Sequence, residues 1–276
     1  MEKKIKKLKF SEKLPVILEL LQKIEFLIED EKTGISEIAK LIEKDPSLTT
    51  KFLKLANSPF YGFPKRITSV KTALNFLGVN IVKILLIVNN FLELSSKDDF
   101  LIWEHLVGVG MVSQLLAKKL NFEDSSTFYT LGLVHDIGLI VEKLSFPEEF
   151  EKIREKIKEG KSLIKIEEEF FKFNHSELGA YLMESWNFPA KLVEPILAHH
   201  DLKKAKRYLK ESAILYLADL LVWAKGIGED LLFKRDKVDS EIFSLLSLNF
   251  SEIKEIFRKM DLFTVEIRTF LNSVLY

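Results

Sequence analysis

The 276-residue sequence contains no cysteine. This absence excludes disulfides, thiolate zinc sites, iron–sulfur clusters and cysteine nucleophiles, so only histidine, carboxylate or backbone groups could hold a metal. Histidine is scarce as well, with five residues in the chain. Lysine plus arginine and aspartate plus glutamate each number 41, so no excess of charge draws the whole chain to nucleic acid or to an anionic membrane.

The sequence also lacks a segment that predicts secretion or a membrane. Its first ten residues have no apolar signal core, and the most apolar stretch, residues 81–94, is interrupted by Lys83 and two asparagines and is too short to span a bilayer. We therefore expect a cytoplasmic protein. Lysine far outnumbers arginine and glutamine occurs only twice, which we interpret as a loose fit to a thermophilic source.

Apolar residues recur at three- and four-residue spacing along nearly the whole chain, which is helical periodicity. There is no Asn-Gly or Asp-Gly hairpin signal and no alternating apolar run bounded by turns. The predicted fold class is therefore all-α. Polar breaks at 95–99 and 226–230 predict an N-terminal helical lobe over 1–95, a second helical lobe over 96–225 and a C-terminal helical extension over 226–276.

All five histidines lie in the second predicted lobe, in the sequences WEHLVG, VHDIG, NHSELG and AHHD. One of them stands beside an aspartate in the apolar run LGLVHDIGLI, late in the helical pattern of residues 126–144. Isolated ionisable groups in apolar surroundings are costly to desolvate unless a partner, a proton or a metal compensates them. The resulting set of candidate ligands is His105, His135, Asp136, His175, His199 and His200.

A further carboxylate, Asp219, is the only charge in the run ILYLADLLVWA, residues 214–224. Brought together, these nitrogen and oxygen ligands suit Fe, Mn, Zn or, with fewer nitrogens, Mg, as one or two divalent ions. Such an ion lowers the pKa of water, and a pair of ions clamps the attacking and leaving oxygens of a phosphoryl transfer. The set predicts a metal centre suited to hydrolysis of a phosphate ester, and no other cofactor.

Each candidate ligand also has an interpretation without a metal. Asp136 could pair with Lys143, Asp219 could face water, and His175 could cap a helix or lie at the surface. The two adjacent histidines point about 100° apart on a helix, so one could ligate while the other packs. The order of the whole set along the chain favours one shared site.

The order His, His-Asp, His, His-His, Asp on successive segments resembles the HD superfamily of metal-dependent phosphohydrolases. The first half resembles, more narrowly, the HDOD family, the HD-related output domains of bacterial signalling proteins, in the elements DPSLTTKFLKLANSPFYG, ITSV and AL-x-x-LG. The later elements IWEH, LGLVHDIG, HSELGAYLMESWNFP and ILAHHD are similar to the same family. The resemblance covers about residues 10–225.

This resemblance implies an all-helical, two-lobe bundle whose second lobe is a divergent HD-type phosphohydrolase fold. It implies a regulatory, signal-transduction role, with a metal- or ligand-binding pocket retained in the second lobe. The partners we expect are a signalling protein or a small anionic nucleotide, and no membrane. Nucleic acid is the least favoured partner, because only residues 3–9 and 203–210 form basic runs, and a homodimer stays open.

The alternative that the resemblance implies is an active metal-dependent phosphohydrolase acting on a nucleotide or a cyclic dinucleotide. His135 and Asp136 would then be the catalytic pair that binds or bridges the first metal. The other ligands would divide between two ions, with His105 and Asp219 at the first and His175, His199 and His200 at the second.

The candidate ligands match ligand positions in the related HD-GYP phosphodiesterases, but the sequence departs from that subfamily nearby. Leu101 stands where those enzymes carry a glutamate one turn before the first histidine, and Val222 stands where they carry a lysine one turn after the last aspartate. The glycine-tyrosine-proline signature is replaced by DLKKAKRYLK. These departures argue against hydrolysis of cyclic di-GMP in the manner of that subfamily.

The N-terminal motif has two interpretations. In the one we favour, a helix ends at its asparagine, proline stops the helix, glycine permits a turn and aromatic side chains fill an apolar gap, so that the motif sets the geometry between the lobes. In the other, Asn57, Tyr61, Lys65 and Arg66 line a surface for a partner or a phosphate. The basic run 203–210 could also draw an anion toward the metal site, although such runs are more often solvated helix faces.

Overall fold

The computed structural model describes residues 14–29, 34–228 and 241–275. Every regular element within these ranges is a helix, which confirms the predicted all-α class. Contacts between Cα atoms divide the described chain into a first unit, residues 14–98 with 268–275, and a second unit, residues 99–267. The predicted domain limits stay a prediction, since grouping by contacts does not test where an independently folding domain begins.

The first unit contains short amphipathic helices whose ends follow local capping signals. Asp45 accepts a hydrogen bond from the backbone N–H of Leu48, and Pro46 occupies the first helical position behind it, as the sequence predicts. The helices are α1 (Leu14–Glu29), α2 (Ile35–Glu43), α3 (Pro46–Ala56), α4 (Val70–Leu77) and α5 (Val79–Leu94), with a 3₁₀ turn at Pro59–Tyr61.

Lys83 explains how a charge can interrupt the most apolar stretch of the sequence. Its side chain is fully buried on α5 and forms an ion pair with Glu25 of α1. A buried ammonium needs such a partner, because desolvation without one is costly. The charge therefore joins two helices of the first unit.

The second unit is a larger bundle built around one apolar helix, α6. Its elements are α6 (Phe100–Lys119), α7 (Ser125–Val134), α8 (Ile137–Ser145), α9 (Pro147–Lys158), α10 (Leu163–Phe171), α11 (His175–Ser185), α12 (Ala190–Ala198), α13 (Leu209–Lys225) and α14 (Glu241–Leu245), with 3₁₀ turns at Lys97–Asp99 and Leu202–Lys204. The last helix, α15 (Phe250–Leu275), gives residues 250–267 to the second unit and residues 268–275 to the first.

Helix α6 packs most extensively against α7 and α13. Among the described helices it alone is long and apolar enough to cross a membrane, but 83% of that apolar window is buried inside the protein, as in the core helix of a soluble protein. A cytoplasmic location and a thermophilic source stay predictions.

Two glycine contacts bring the backbones of neighbouring helices unusually close. A Cβ on Gly132 of α7 would lie 2.3 Å from the Cα of Gly110 on α6, and a Cβ on Gly138 of α8 would lie 2.0 Å from the carbonyl oxygen of His175. Only glycine leaves room for such approaches. The turn between α7 and α8, which carries the His-Asp pair, is thereby held against α6 and the start of α11.

Candidate metal centre

The seven candidate ligands converge on one cluster in the second unit. The helical pattern of residues 126–144 does not continue through His135 and Asp136, since α7 ends at Val134, α8 begins at Ile137, and the pair occupies the break. His105 and Asp219 project from within α6 and α13, His175 begins α11, and His199 and His200 follow the end of α12.

Backbone carbonyls orient two of the imidazole rings. The Nδ1–H of His135 donates to the carbonyl of Gly132 at 2.9 Å, and the Nδ1–H of His199 donates to the carbonyl of Ile196 at 2.6 Å. Because a carbonyl oxygen only accepts, Nδ1 carries the proton, and Nε2 of each neutral ring presents a lone pair to the cluster.

Three of the cluster's polar atoms are buried without a hydrogen-bond partner among the described residues: His135 Nε2, His199 Nε2 and Asp136 Oδ1. An unsatisfied buried donor or acceptor costs about 1–3 kcal/mol. Two bare imidazole nitrogens and a carboxylate oxygen that share a small space are ligands that a divalent transition metal would satisfy. The residues therefore fit a metal ion.

Asp136 lies at the centre of the cluster and faces two pairs of imidazoles with its two oxygens. Its Oδ2 is 3.2 Å from His135 Nε2 and 3.9 Å from His105 Nε2. Its Oδ1 is 3.2 Å from His199 Nε2 and 3.3 Å from His175 Nε2. A single carboxylate in this position could bridge two ions.

Asp219 and His200 lie beside the two imidazole pairs that face Asp136. Asp219 Oδ1 lies 3.2 Å from His105 Nε2 and 4.0 Å from His135 Nε2, while His200 Nε2 lies 2.8 Å from His175 Nε2. Ligand atoms within 4.8 Å of one another form three groups that could hold an ion. These groups are Asp136, His175, His199 and His200; His105, His135 and Asp136; and His135, His199 and Asp219.

The geometry excludes a solvent-facing position for two of the candidate ligands. Asp219 is 2% exposed and His175 is 1% exposed, so neither faces water. Lys143 forms an ion pair with Asp99. Both adjacent histidines join the cluster. The roles of these residues as metal ligands stay a prediction.

Two buried glutamates stand behind the cluster, and sequence reasoning missed both. Glu167 of α10 accepts from His175 Nδ1, with both of its oxygens at 2.9 Å, and from the His175 backbone N–H at 3.0 Å. A carboxylate behind an imidazole fixes the ring and makes the opposite nitrogen a better metal ligand. Glu142 of α8 is also fully buried, and its carboxyl oxygens have no hydrogen-bond partner among the described residues.

Burial and nearby charges oppose each other in this cluster. Burial raises the pKa of Asp136, but His135 and His175 outweigh it, so the pKa lies well below its usual value. Burial lowers the pKa of His175, but the carboxylates of Glu167 and Asp136 outweigh it, so the pKa lies well above its usual value. The neighbouring imidazoles of His135 and His175 thus hold Asp136 in its anionic form.

The remaining shifts follow the same physics. Burial lowers the pKa of His135, but the attraction of the Asp136 and Asp219 carboxylates is larger, so that the pKa is raised. The pKa of His199 is lowered, chiefly by burial, with repulsion from the neighbouring imidazoles added. Burial and the adjacent Glu167 raise the pKa of Glu142 well above its usual value.

The basic run after the paired histidines is not a continuous helix face. Its beginning forms the 3₁₀ turn Leu202–Lys204, Lys204 pairs with Glu177 at 2.9 Å, and α13 begins at Leu209. The connecting backbone is held by Glu194, whose Oε1 accepts from three consecutive N–H groups at 2.6–2.7 Å. The segment is solvated, as the sequence predicts, but it is not a single helix face.

The four residues proposed from sequence as a partner or ligand surface lie in the first unit and differ in exposure. Tyr61 is buried, with 7% of its surface exposed, and its ring stacks on Phe63 at 6.1 Å between centroids. Asn57 is half-buried, and Lys65 and Arg66 are exposed. Their role as a binding surface stays a prediction.

Known proteins resemble this chain in both sequence and fold. The model of the HDOD domain family matches residues 14–202. An uncharacterised protein of Treponema pallidum (strain Nichols) is 29% identical over 202 residues, which are 71% of this chain and 39% of that protein. The chain thus spans about two-fifths of the length of this relative.

Several solved structures share the fold. An HDOD domain protein of unknown function from Geobacter sulfurreducens has a TM-score of 0.66 at 24% identity, over 93% of this chain and 91% of that one. A protein from Shewanella amazonensis SB2B, provisionally named a phosphohydrolase, has a TM-score of 0.66 at 23% identity, over 98% and 97% of the chains. A protein from Marinobacter aquaeolei VT8, provisionally named a signal transduction protein, has a TM-score of 0.71 at 20% identity, over 99% and 64%.

Proposed function

We propose, since this chain belongs to the HDOD family, that it is a regulatory module whose second unit binds divalent metal at the His-Asp cluster. One observation carries this proposal: imidazoles from separate segments present their Nε2 atoms to a single buried carboxylate, Asp136. Only histidine and carboxylate ligands are available, and in a chain without cysteine they are the groups that hold Fe, Mn or Zn.

A structural role alone does not account well for the cluster. A polar network that served only packing would pair its donors with acceptors, because unpaired buried groups destabilise the fold. Here His135 Nε2 and His199 Nε2 make no hydrogen bond among the described residues, and each faces an oxygen of Asp136 at 3.2 Å, although their Nδ1 atoms are well bonded. This pattern favours a ligand between the rings over a satisfied hydrogen-bond network.

The positions of the ligands suggest how metal could serve regulation. They come from α6, the α7–α8 break, the start of α11, the end of α12 and α13. An ion held by these residues would join most of the second unit, and binding to the folded state alone stabilises it by mass action. Occupancy of the site would therefore control the stability of the surface that the second unit offers to a signalling partner.

The proposal is tested by metal analysis of protein purified without chelator. We expect Fe, Mn or Zn at one or two ions per chain, and we expect an Asp136→Asn variant to lose it. Asp98→Asn is the matched control, because Asp98 is an exposed aspartate outside the cluster. Folded wild-type protein that binds no divalent ion, even after incubation with each metal, would overturn the proposal.

A second candidate function is hydrolysis of a phosphate ester. It is favoured by the positions of the two carboxylate oxygens of Asp136. Each of its oxygens points to a different imidazole pair, which is the arrangement expected of a carboxylate between two ions. Bound divalent ions would supply Lewis acid activation of water and of a phosphate oxygen. His200 is partly exposed while the other six residues are buried, so a substrate would approach on the His200 side.

Assays of the metal-loaded protein on mono-, di- and cyclic nucleotides separate the two functions. Turnover that disappears in Asp136→Asn and persists in Asp98→Asn would make the chain an enzyme. Metal binding without turnover on any of these substrates would leave the regulatory function as the conclusion.

A further inference from the structure

A cavity of about 720 Å³ lies in the first unit, between α3, the loop of residues 57–69 and the end of α15. This volume is within the range of small-molecule sites. Three basic side chains line the cavity, Lys54, Lys65 and Arg66, and none of the described residues lining it is acidic. The positive charge of the residues that line the cavity therefore favours an anionic ligand.

Two of these cations are available to a ligand. Lys65 and Arg66 are exposed, and neither forms an ion pair within the described chain. Lys54 Nζ donates to the carbonyl of Ser273 at 3.1 Å, in the last turn of α15, whose partial negative charge offsets part of the lysine charge. An anion is thus held best at the end of the cavity formed by Lys65 and Arg66, where the planar arginine fork matches a phosphate group.

The loop that carries these cations is fixed by Asn57. The Asn57 Nδ2 group donates to the carbonyls of Leu53 at 2.7 Å and Ile67 at 2.8 Å, and Oδ1 accepts from the Ile67 N–H at 2.8 Å. Ile67 is 2% exposed and directly follows Arg66. Because the loop is ordered before a ligand arrives, binding costs less conformational entropy.

An aromatic surface forms another wall of the cavity. Phe63 lines it and is half-buried, with its ring held between Tyr61 at 6.1 Å and Phe76 at 5.7 Å between centroids. Phe270, also in the wall, packs edge-on against Phe60 at 5.7 Å. A half-exposed aromatic ring that lines a cavity and is held by neighbouring rings offers a stacking surface for a planar group.

We propose that this cavity binds a mononucleotide, with its phosphates at Lys65 and Arg66 and its base against Phe63. Cations, a fixed loop and an aromatic surface are the features that recognise the charged and the planar parts of such a ligand. The proposal does not depend on metal in the second unit, because none of the lining residues belongs to the His-Asp cluster.

Calorimetric titration of the full chain with AMP, GMP, ATP and GTP, in the presence of EDTA, tests the proposal. The chelator removes any contribution of the metal centre. We expect at least one nucleotide to bind with a Kd below about 100 µM. A Lys65→Ala/Arg66→Ala variant should weaken that binding about tenfold or more, because charge-assisted bonds to phosphate are lost.

The matched control is Arg258→Ala/Lys259→Ala, which removes an adjacent exposed arginine and lysine from the second unit. We expect it to bind the nucleotide as wild type does. A Phe63→Leu variant should weaken nucleotide binding about fivefold or more and leave binding of inorganic pyrophosphate unchanged, because base stacking is lost while the cations remain. Circular dichroism verifies that each variant is folded.

Four results would overturn the proposal. They are no binding of any of the four nucleotides in EDTA, equal binding by the Lys65/Arg66 variant and wild type, pyrophosphate binding as tight as that of the nucleotide, and tighter binding of a single-stranded oligonucleotide than of the mononucleotide. The last two results would assign the cavity to inorganic phosphates or to nucleic acid instead.

Discussion

Nδ1 of His175 lies 2.9 Å from both carboxylate oxygens of Glu167, and its Nε2 lies 3.3 Å from Asp136 Oδ1. The imidazole is therefore held between two carboxylates that come from separate segments. Such a ring has a fixed orientation, and the carboxylate behind it makes Nε2 more basic toward a metal.

We expect Glu167→Gln to weaken metal binding about 10- to 100-fold, because an amide removes the negative charge behind the His175 ring. Competition with a chelator of known affinity measures the change. The control is Glu169→Gln in the same helix, since the Glu169 side chain is 62% exposed. Equal metal affinity in the two variants would contradict this role of Glu167.

Glu142 gives a prediction about the pH dependence of stability. Its pKa is raised well above the ordinary value by burial and by Glu167, so the folded state holds a proton that the unfolded state releases as the pH rises above about 4.3. The stability contribution of this proton is lost as the pH rises toward the folded pKa. A Glu142→Gln variant, whose amide cannot release a proton, should therefore gain free energy of unfolding relative to wild type as the pH increases.

Urea unfolding of metal-free protein at several pH values measures this difference. Glu155→Gln on α9, at the exposed surface, is the matched control and should follow the wild-type profile. A difference between Glu142→Gln and wild type that is independent of pH would contradict a raised pKa of Glu142.

We expect the stability of the metal-free protein and the stability added by metal to change with pH in opposite directions. The pKa values of His135 and His175 are raised by nearby carboxylates against burial, so their contribution to stability is present below about 6.5 and is lost as the pH rises through the folded values. The lowered pKa of His199 acts in the other direction. The lowered pKa of Asp136 stabilises above about 3.9 and ceases to do so as the pH falls through its folded value.

Metal must displace protons from the same imidazoles, so its affinity and the stability it adds should increase as the pH rises. We expect the difference in Tm between metal-loaded and metal-free protein to grow above a pH of about 6.5 and to vanish in acid. Thermal unfolding with EDTA and with added Zn or Mn measures it. Parallel profiles would exclude a histidine-rich site.

Gly138 tests the close packing that positions the cluster. A Cβ at this position would lie 2.0 Å from the carbonyl oxygen of His175, and backbone cannot move aside as a side chain can. We expect Gly138→Ala to lower the free energy of unfolding by about 3 kcal/mol, at the upper end of the cost of overpacking. The control, Gly34→Ala, has no atom within 4 Å of the new Cβ and should change stability far less.

The sequence was sufficient for the helical class and for the residues that cluster in the second unit, because helical spacing and isolated ionisable residues in apolar runs are local signals. It did not reveal the break at His135 and Asp136, since both flanking helices are buried and the apolar pattern runs through without interruption. Backbone turns of this kind are set by tertiary contacts, here by the glycines on either side.

Glu167 was missed for a different reason. It is the first of three consecutive glutamates, and the other two are exposed. The sequence does not distinguish the three glutamates, whereas only one of them lies on the buried face of α10. The motif around Asn57 is expected from the sequence to set the geometry between the lobes, and that stays a prediction. The three hydrogen bonds of Asn57 fix the loop within the first unit.

The division of α15 between the two units has a consequence for biosynthesis. The first unit combines residues 14–98 with residues 268–275, and Phe270 and Leu271 from the latter are buried. Part of the apolar surface of the earlier helices therefore stays uncovered until residues 268–275 have been translated.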